Sequence, residues 1–114
     1  MSDCLFCRIV EGKIKGEIVY QDDTVVAFKD INPKAPVHVL IVPRKHIAGV
    51  LEMKAADSGV VGRIFDIAGR LARQLGIAGS GFRVVVNSGA DAGQSVFHLH
   101  YHLLGGRRLG WPPG

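Results

Sequence analysis

Eight consecutive residues, Phe97-His-Leu-His-Tyr-His-Leu-Leu104, constrain this chain more than any other stretch. Apolar and imidazole side chains alternate through most of the run, and a period of two is that of a β-strand. On an extended segment His98, His100 and His102 project to one side. Phe97, Leu99, Tyr101 and Leu103 project to the other, where they fill a core. One histidine on such a face is ordinarily a structural residue that has found its partners. Three in register each bring polar nitrogens that need partners once buried, so they point to chemistry.

The strand needs a sheet to join, and the rest of the chain supplies one. Glu17–Tyr20 and Thr24–Phe28 flank Asp22-Asp23 and read as a hairpin. Val37–Val42 alternates as a further strand that puts His38 in line with Leu40 and Val42. From about Ala55 to Leu75 the period lengthens. Val60 or Val61, Ile64, Ala68, Leu71 and Leu75 form one stripe of an amphipathic helix, stopped by Gly76 and Gly79. Phe82–Asn87 is another strand, Ser88–Gly93 a loop, and Val96–Leu104 the histidine strand. The layout is α+β: a mainly antiparallel sheet with one principal helix on a face.

At 114 residues the chain fits a single domain, residues 1–114. It is 47% hydrophobic and 21% charged, the balance of a folded soluble protein and not of a disordered one. The net charge is +4, and the basic residues are scattered apart from Arg107-Arg108. That modest field suits a small anionic ligand and falls short of the basic stripe of a nucleic-acid binder, so no nucleic-acid partner is expected. The longest apolar run, Val37–Val42, carries His38 and stops at Pro43, and Met1-Ser2-Asp3 lacks a basic leader. The expectation is therefore a cytoplasmic protein with no membrane partner, in which Cys4 and Cys7 stay reduced.

Two chemistries fit three aligned imidazoles. One is a three-histidine metal site with an open position for water. The other is nucleophilic catalysis, in which one ring attacks and its neighbours orient it and bind substrate. The upstream loop Gly89-Ala-Asp-Ala-Gly-Gln-Ser95 can aim backbone N–H groups and the Ser95 hydroxyl at an anion. Asp91 is the only acidic residue close in sequence, which leaves a metal site short of supporting carboxylates. A phosphate beside an imidazole nucleophile is the reading this favours.

The segment Gly93–Leu104 resembles the signature of the histidine triad superfamily, His-φ-His-φ-His-φ-φ with φ apolar. Phe28–His38, Ile41–Ile47, Val85–Gly89 and the run from Gly105-Gly106 to Trp111-Pro-Pro-Gly114 are similar to its nucleotide-binding branch. The resemblance extends from Asp3 to the end of the chain. It implies a five-stranded sheet with a short N-terminal helix, two protomers joining into one continuous sheet, and a tail, 105–114, that contacts the partner. It also implies a homodimeric purine nucleoside phosphoramidase. His100 attacks the α-phosphorus of an adenosine or guanosine phosphoramidate, and water then releases AMP or GMP from the nucleotidyl-histidine. The main-chain carbonyl of His98 orients His100, His102 and Ser95 bind phosphate oxygens, and His38 joins the catalytic group. Phe6, Ile9, Phe28 and Ile31 sandwich the purine and Asp30 accepts the ribose hydroxyls. Asn87, Gly93, Gln94 and Ser95 complete the phosphate pocket, and Trp111 reaches the other protomer's site. Catalysis needs no cofactor. A non-catalytic nucleotide-binding adaptor is the rival reading.

Cys4-x-x-Cys7 is not needed for that chemistry. In a reduced setting the spacing fits half of a metal site, and no thioredoxin-like context supports a redox pair. With His46 and His98 as the remaining ligands, as in similar bacterial histidine triad proteins, it makes a structural zinc site. The plain alternative is two small buried hydrophobes.

Overall fold

The computed structural model describes residues 3–114; Met1 and Ser2, on which the reading of the leader partly rests, lie outside the described residues. Asp22 closes the first hairpin. Its Oδ1 accepts the N–H groups of Thr24 and Val25 at 2.8 and 2.9 Å, and its Oδ2 accepts the Tyr20 hydroxyl and the Arg63 guanidinium. This short-range bonding of an aspartate to the backbone beyond it turns the chain from β1 (Ile18–Gln21) into β2 (Val25–Lys29). Burial opposes the Asp22 charge, yet the Thr24 amide, the Tyr20 hydroxyl, the Val25 amide and Arg63 together hold its carboxyl far below the usual range.

β3 (Val37–Pro43), β4 (Phe82–Val86) and β5 (Tyr101–Gly105) complete a sheet ordered β1-β2-β3-β5-β4, antiparallel at every step. The expected helix resolves into a 3₁₀ turn, Ala55–Asp57, followed by α2 (Ser58–Gln74). Its end is set by Gly76 at φ +78°, with Ile77 N–H bonded to the Ala72 carbonyl and Gly76 N–H to Arg73. A short helix, α1 (Leu5–Val10), precedes the sheet, as the family resemblance implies.

Strand alternation divides the core in two. Val25, Ala27, Val39, Ile41, Tyr101 and Leu103 face α2 and pack with Ile64, Ile67, Ala68 and Leu71. Val26, Phe28, Leu40 and Val42 point the other way and pack with Phe6 and Ile9 of α1. Burial on both faces explains why β2 and β3 read as nearly continuous apolar runs. The α1 face is covered only in part, and the remainder forms the site. Among the described residues no helix is long and apolar enough to cross a membrane.

One expectation needs correction. The strand anticipated over Val96–Leu104 is strand only from Tyr101; residues 96–100 form bends and an irregular run outside the ladder. Leu99 still reaches the core, anchored by its N–H on the Ile47 carbonyl, but Phe97 is 60% exposed and does not fill it. The cause is local. His98 is drawn inward by partners at the N-terminus and the end of β3, which a continuous ladder could not also satisfy.

Candidate active site

The sheet face beside α1 encloses a cavity of about 650 Å³. Register explains its lining. On β3 and β5, Leu40 lies opposite His102 and His38 opposite Leu104, and on β4 Val85 lies opposite His102, so these side chains share one face. His100, just before β5, and Phe6 of α1 close over them with ring centroids 4.9 Å apart in an edge-on contact.

The hydrogen bonds fix how each ring is protonated. A carbonyl can only accept, so His100, 2.7 Å from the His98 main-chain oxygen, donates to it through Nδ1–H. The neutral ring then carries its lone pair on Nε2, as an attacking imidazole requires. His98 likewise donates Nε2–H to the Pro43 carbonyl at 2.8 Å, which leaves its Nδ1 as a lone pair. His102 Nδ1 lies 2.9 Å from His38 Nε2, while His102 Nε2 is buried with no partner within the described residues. Burial, with the His100 and His38 charges acting in the same direction, pushes the His102 ring down to about 4. His38 and His98 are also lowered, in each case mainly by burial.

The triad is thus not one metal site. Among the described residues, the donor sets that converge are Cys4, Cys7, His46 and His98 on one side, and Asp30, His38 and His102 on the other. His100 belongs to neither. The His98 Nδ1 lone pair faces Cys4 Sγ at 3.3 Å, Cys7 Sγ at 3.4 Å and His46 Nδ1 at 3.3 Å, and His46 Nδ1 lies 3.3 Å from Cys7 Sγ. In a tetrahedral zinc site, ordinary bond lengths separate two imidazole nitrogens by about 3.3 Å and a thiolate from a nitrogen by about 3.6 Å. The four residues fit a zinc ion and could hold one.

Of the anticipated nucleotide-site residues, Phe6, Ile9, Phe28, Asp30, Ile31, Asn87, Ser95, His100 and His102 all line the cavity, as does His38. Gly93, Gln94 and Trp111 are not part of that lining. Gln94 is buried, and its amide ties the loop together: Nε2–H donates to the Ala48 carbonyl and Oε1 accepts the Gly89 N–H. Trp111 is 83% exposed, with the Arg83 guanidinium 6.0 Å from its ring. Lys15, Lys34 and Leu40 also line the cavity. Leu40 was visible in advance from its place two residues after His38. The role of Lys34 was not, because it acts through its backbone: its N–H donates to His38 Nδ1 at 3.0 Å.

The model of the HIT domain matches residues 11–109 of this chain. The chain belongs to the HIT family. The purine nucleoside phosphoramidase of Escherichia coli strain K12 is 44% identical to this HIT protein over 109 residues, covering 96% of this chain and 92% of the relative. A HIT family hydrolase from Legionella pneumophila superposes with a TM-score of 0.96 at 45% identity, covering 98% of this chain and all of that one. A second, from Clostridium thermocellum, gives 0.93 at 48% identity and covers 96% of each. The α+β fold expected from the sequence is thus the fold of the HIT family.

Proposed function

We propose that this HIT protein hydrolyses the phosphorus–nitrogen bond of adenosine or guanosine 5′-phosphoramidates. His100 Nε2 attacks the α-phosphorus, the P–N bond breaks, and the amine leaves with a proton taken up from its surroundings. Water then attacks the nucleotidyl-histidine, releasing AMP or GMP and restoring the ring. The observation that carries this reading is the 2.7 Å bond from His100 Nδ1–H to the His98 carbonyl, which presents Nε2 as the attacking atom. Its setting in a cavity with a carboxylate, Asp30, and a hydroxyl, Ser95, supports a ligand with a sugar diol and a phosphate. The similarity to the Escherichia coli phosphoramidase supports the same substrate class.

His100→Ala is expected to abolish AMP release from adenosine 5′-phosphoramidate while AMP binding, followed by calorimetry, stays within about threefold. Undiminished hydrolysis by the variant would falsify the assignment. Binding without turnover by the wild-type chain would instead favour the adaptor.

The same reading includes a homodimer and a zinc ion. β4 forms one edge of the sheet and leaves Phe82 and Val86 partly exposed, an edge a second copy can extend. The exposed tail with Trp111 would then be placed for the partner's site. Sedimentation equilibrium returning a single-chain mass at micromolar concentration rules that arrangement out. Zinc on Cys4, Cys7, His46 and His98 would offset the thiolate charge and tie α1 to the residue whose carbonyl orients the nucleophile, in the reducing cytoplasm that keeps both sulfurs available. The catalytic steps themselves draw on no cofactor.

A further inference from the structure

Four groups at the sugar end of the cavity form a directed chain. The Lys34 N–H, a donor that cannot reverse, reaches His38 Nδ1 at 3.0 Å, so that nitrogen carries a lone pair and the single ring proton of neutral His38 sits on Nε2. His38 Nε2 has two acceptors in reach: His102 Nδ1 at 2.9 Å and Asp30 Oδ2 at 3.4 Å. His102 therefore accepts at Nδ1, and its own proton lies on Nε2, the buried atom without a partner. Doubly protonated His38 would set an N–H against the Lys34 N–H, so the chain works only with neutral rings. Asp30 Oδ1 is already used by the Asn32 N–H at 2.8 Å, which leaves Oδ2 as the oxygen shared between His38 and any ligand.

We propose that Asp30 and His38 are positioning residues that couple occupation of the sugar end to His102, fixing it as a neutral Nε2–H donor. A sugar hydroxyl that donates to Asp30 Oδ2 satisfies the carboxylate and weakens its hold on the His38 proton. The His38 Nε2–H then points wholly at His102 Nδ1, and the His102 Nε2–H becomes a better donor to a phosphoryl oxygen as charge builds there. No proton changes owner; the competing pull of the carboxylate 3.4 Å from His38 Nε2 is withdrawn, and the 2.9 Å bond to His102 strengthens. This inference rests on the phosphoramidase reading for its ligand, though the tautomers it requires exist without one. The depressed affinity of His102 for a second proton agrees with a ring that acts as a neutral donor.

The test is nitrogen NMR of the full chain labelled at its histidine rings, purified without chelator. Without ligand, His38 and His102 are expected to carry their protons on Nε2. AMP is expected to shift the His102 Nδ1 resonance, and 2′,3′-dideoxy-AMP to shift it less than half as far. Asp30→Asn removes the difference between the two ligands. The dideoxy phosphoramidate loses about tenfold in kcat and not in KM alone, as expected when remote binding is used in the transition state. A His102 protonated on Nδ1, or one that responds equally to both nucleotides, overturns the proposal. Should Asp30→Asn fail to fold, the wild-type tautomers and the two ligands still decide. A chain that shows the tautomers but hydrolyses no phosphoramidate loses its proposed function; one that hydrolyses with His102 in the other tautomer loses only this coupling.

Discussion

His98 and His102 lie four residues apart in one motif, yet they do unlike work. His98 turns its ring to the sulfurs and offers only its carbonyl to His100, whereas His102 keeps its ring in the cavity. The alternation of the motif projects all three rings to one side of the chain and points to chemistry there. It could not convey which nitrogen of each ring is protonated, because the Pro43 and His98 carbonyls and the Lys34 amide decide that. Backbone groups have no letter in a sequence. The rings also predict a pH response. In the folded chain His38 and His102 bind protons less readily than the ordinary value of 6.5, so the unfolded chain takes up more protons at these sites below that pH. Stability is full above about 6.5, falls as pH drops from there toward the folded value of about 4 for His102, and levels off below it. Thermal unfolding is expected to show a lower midpoint at pH 5 than at pH 7, and His102→Asn to flatten that slope; an equal slope in the variant excludes His102 as a source.

At the level of elements, the amphipathic helix is readable because it buries one side, β2 and β3 because burial on both faces makes them short apolar runs, and the turns because Asp22 and Gly76 mark them. The histidine strand was over-extended by five residues, since its alternation continues past the point where the ladder begins. Ladder pairing needs free backbone groups, and residues 96–100 commit theirs elsewhere, Leu99 to Ile47 and His98 to His100. Gly105, the last residue of β5, shows the opposite case, where a small side chain is demanded by a neighbour. A Cβ there would lie 2.6 Å from Ile77 Cδ1 and 3.0 Å from its Cβ, and Ile77 is buried in the turn that follows α2. Gly105→Ala is expected to destabilise the fold by about 1–3 kcal/mol through this overpacking. Adding Ile77→Ala should cost less than the sum of the single changes in denaturant titrations; strict additivity would show that the two sites are independent.

Across the whole molecule the sheet is a partition. One face is filled by α2 and holds the fold; the other is only part-covered by α1, and the opening is the site. The zinc reading belongs to this scale because its four ligands come from the N-terminus, the turn after β3 and the segment before β5. Protein purified without chelator is expected to hold about one zinc per chain, and Cys4→Ser to lose it with a fall in thermal midpoint. Substoichiometric metal that the substitution leaves unchanged would remove zinc from the account.

His98 also changes what a survey of variants would report. Its ring lies against the Cys4 and Cys7 sulfurs and its carbonyl holds the His100 ring, so a substitution at either cysteine is expected to reach His100 through a single residue. A mutational map drawn from activity alone would therefore mark the N-terminal cysteines as though they touched substrate. Only a map that also scores nucleotide affinity would separate a misaimed ring from an empty pocket.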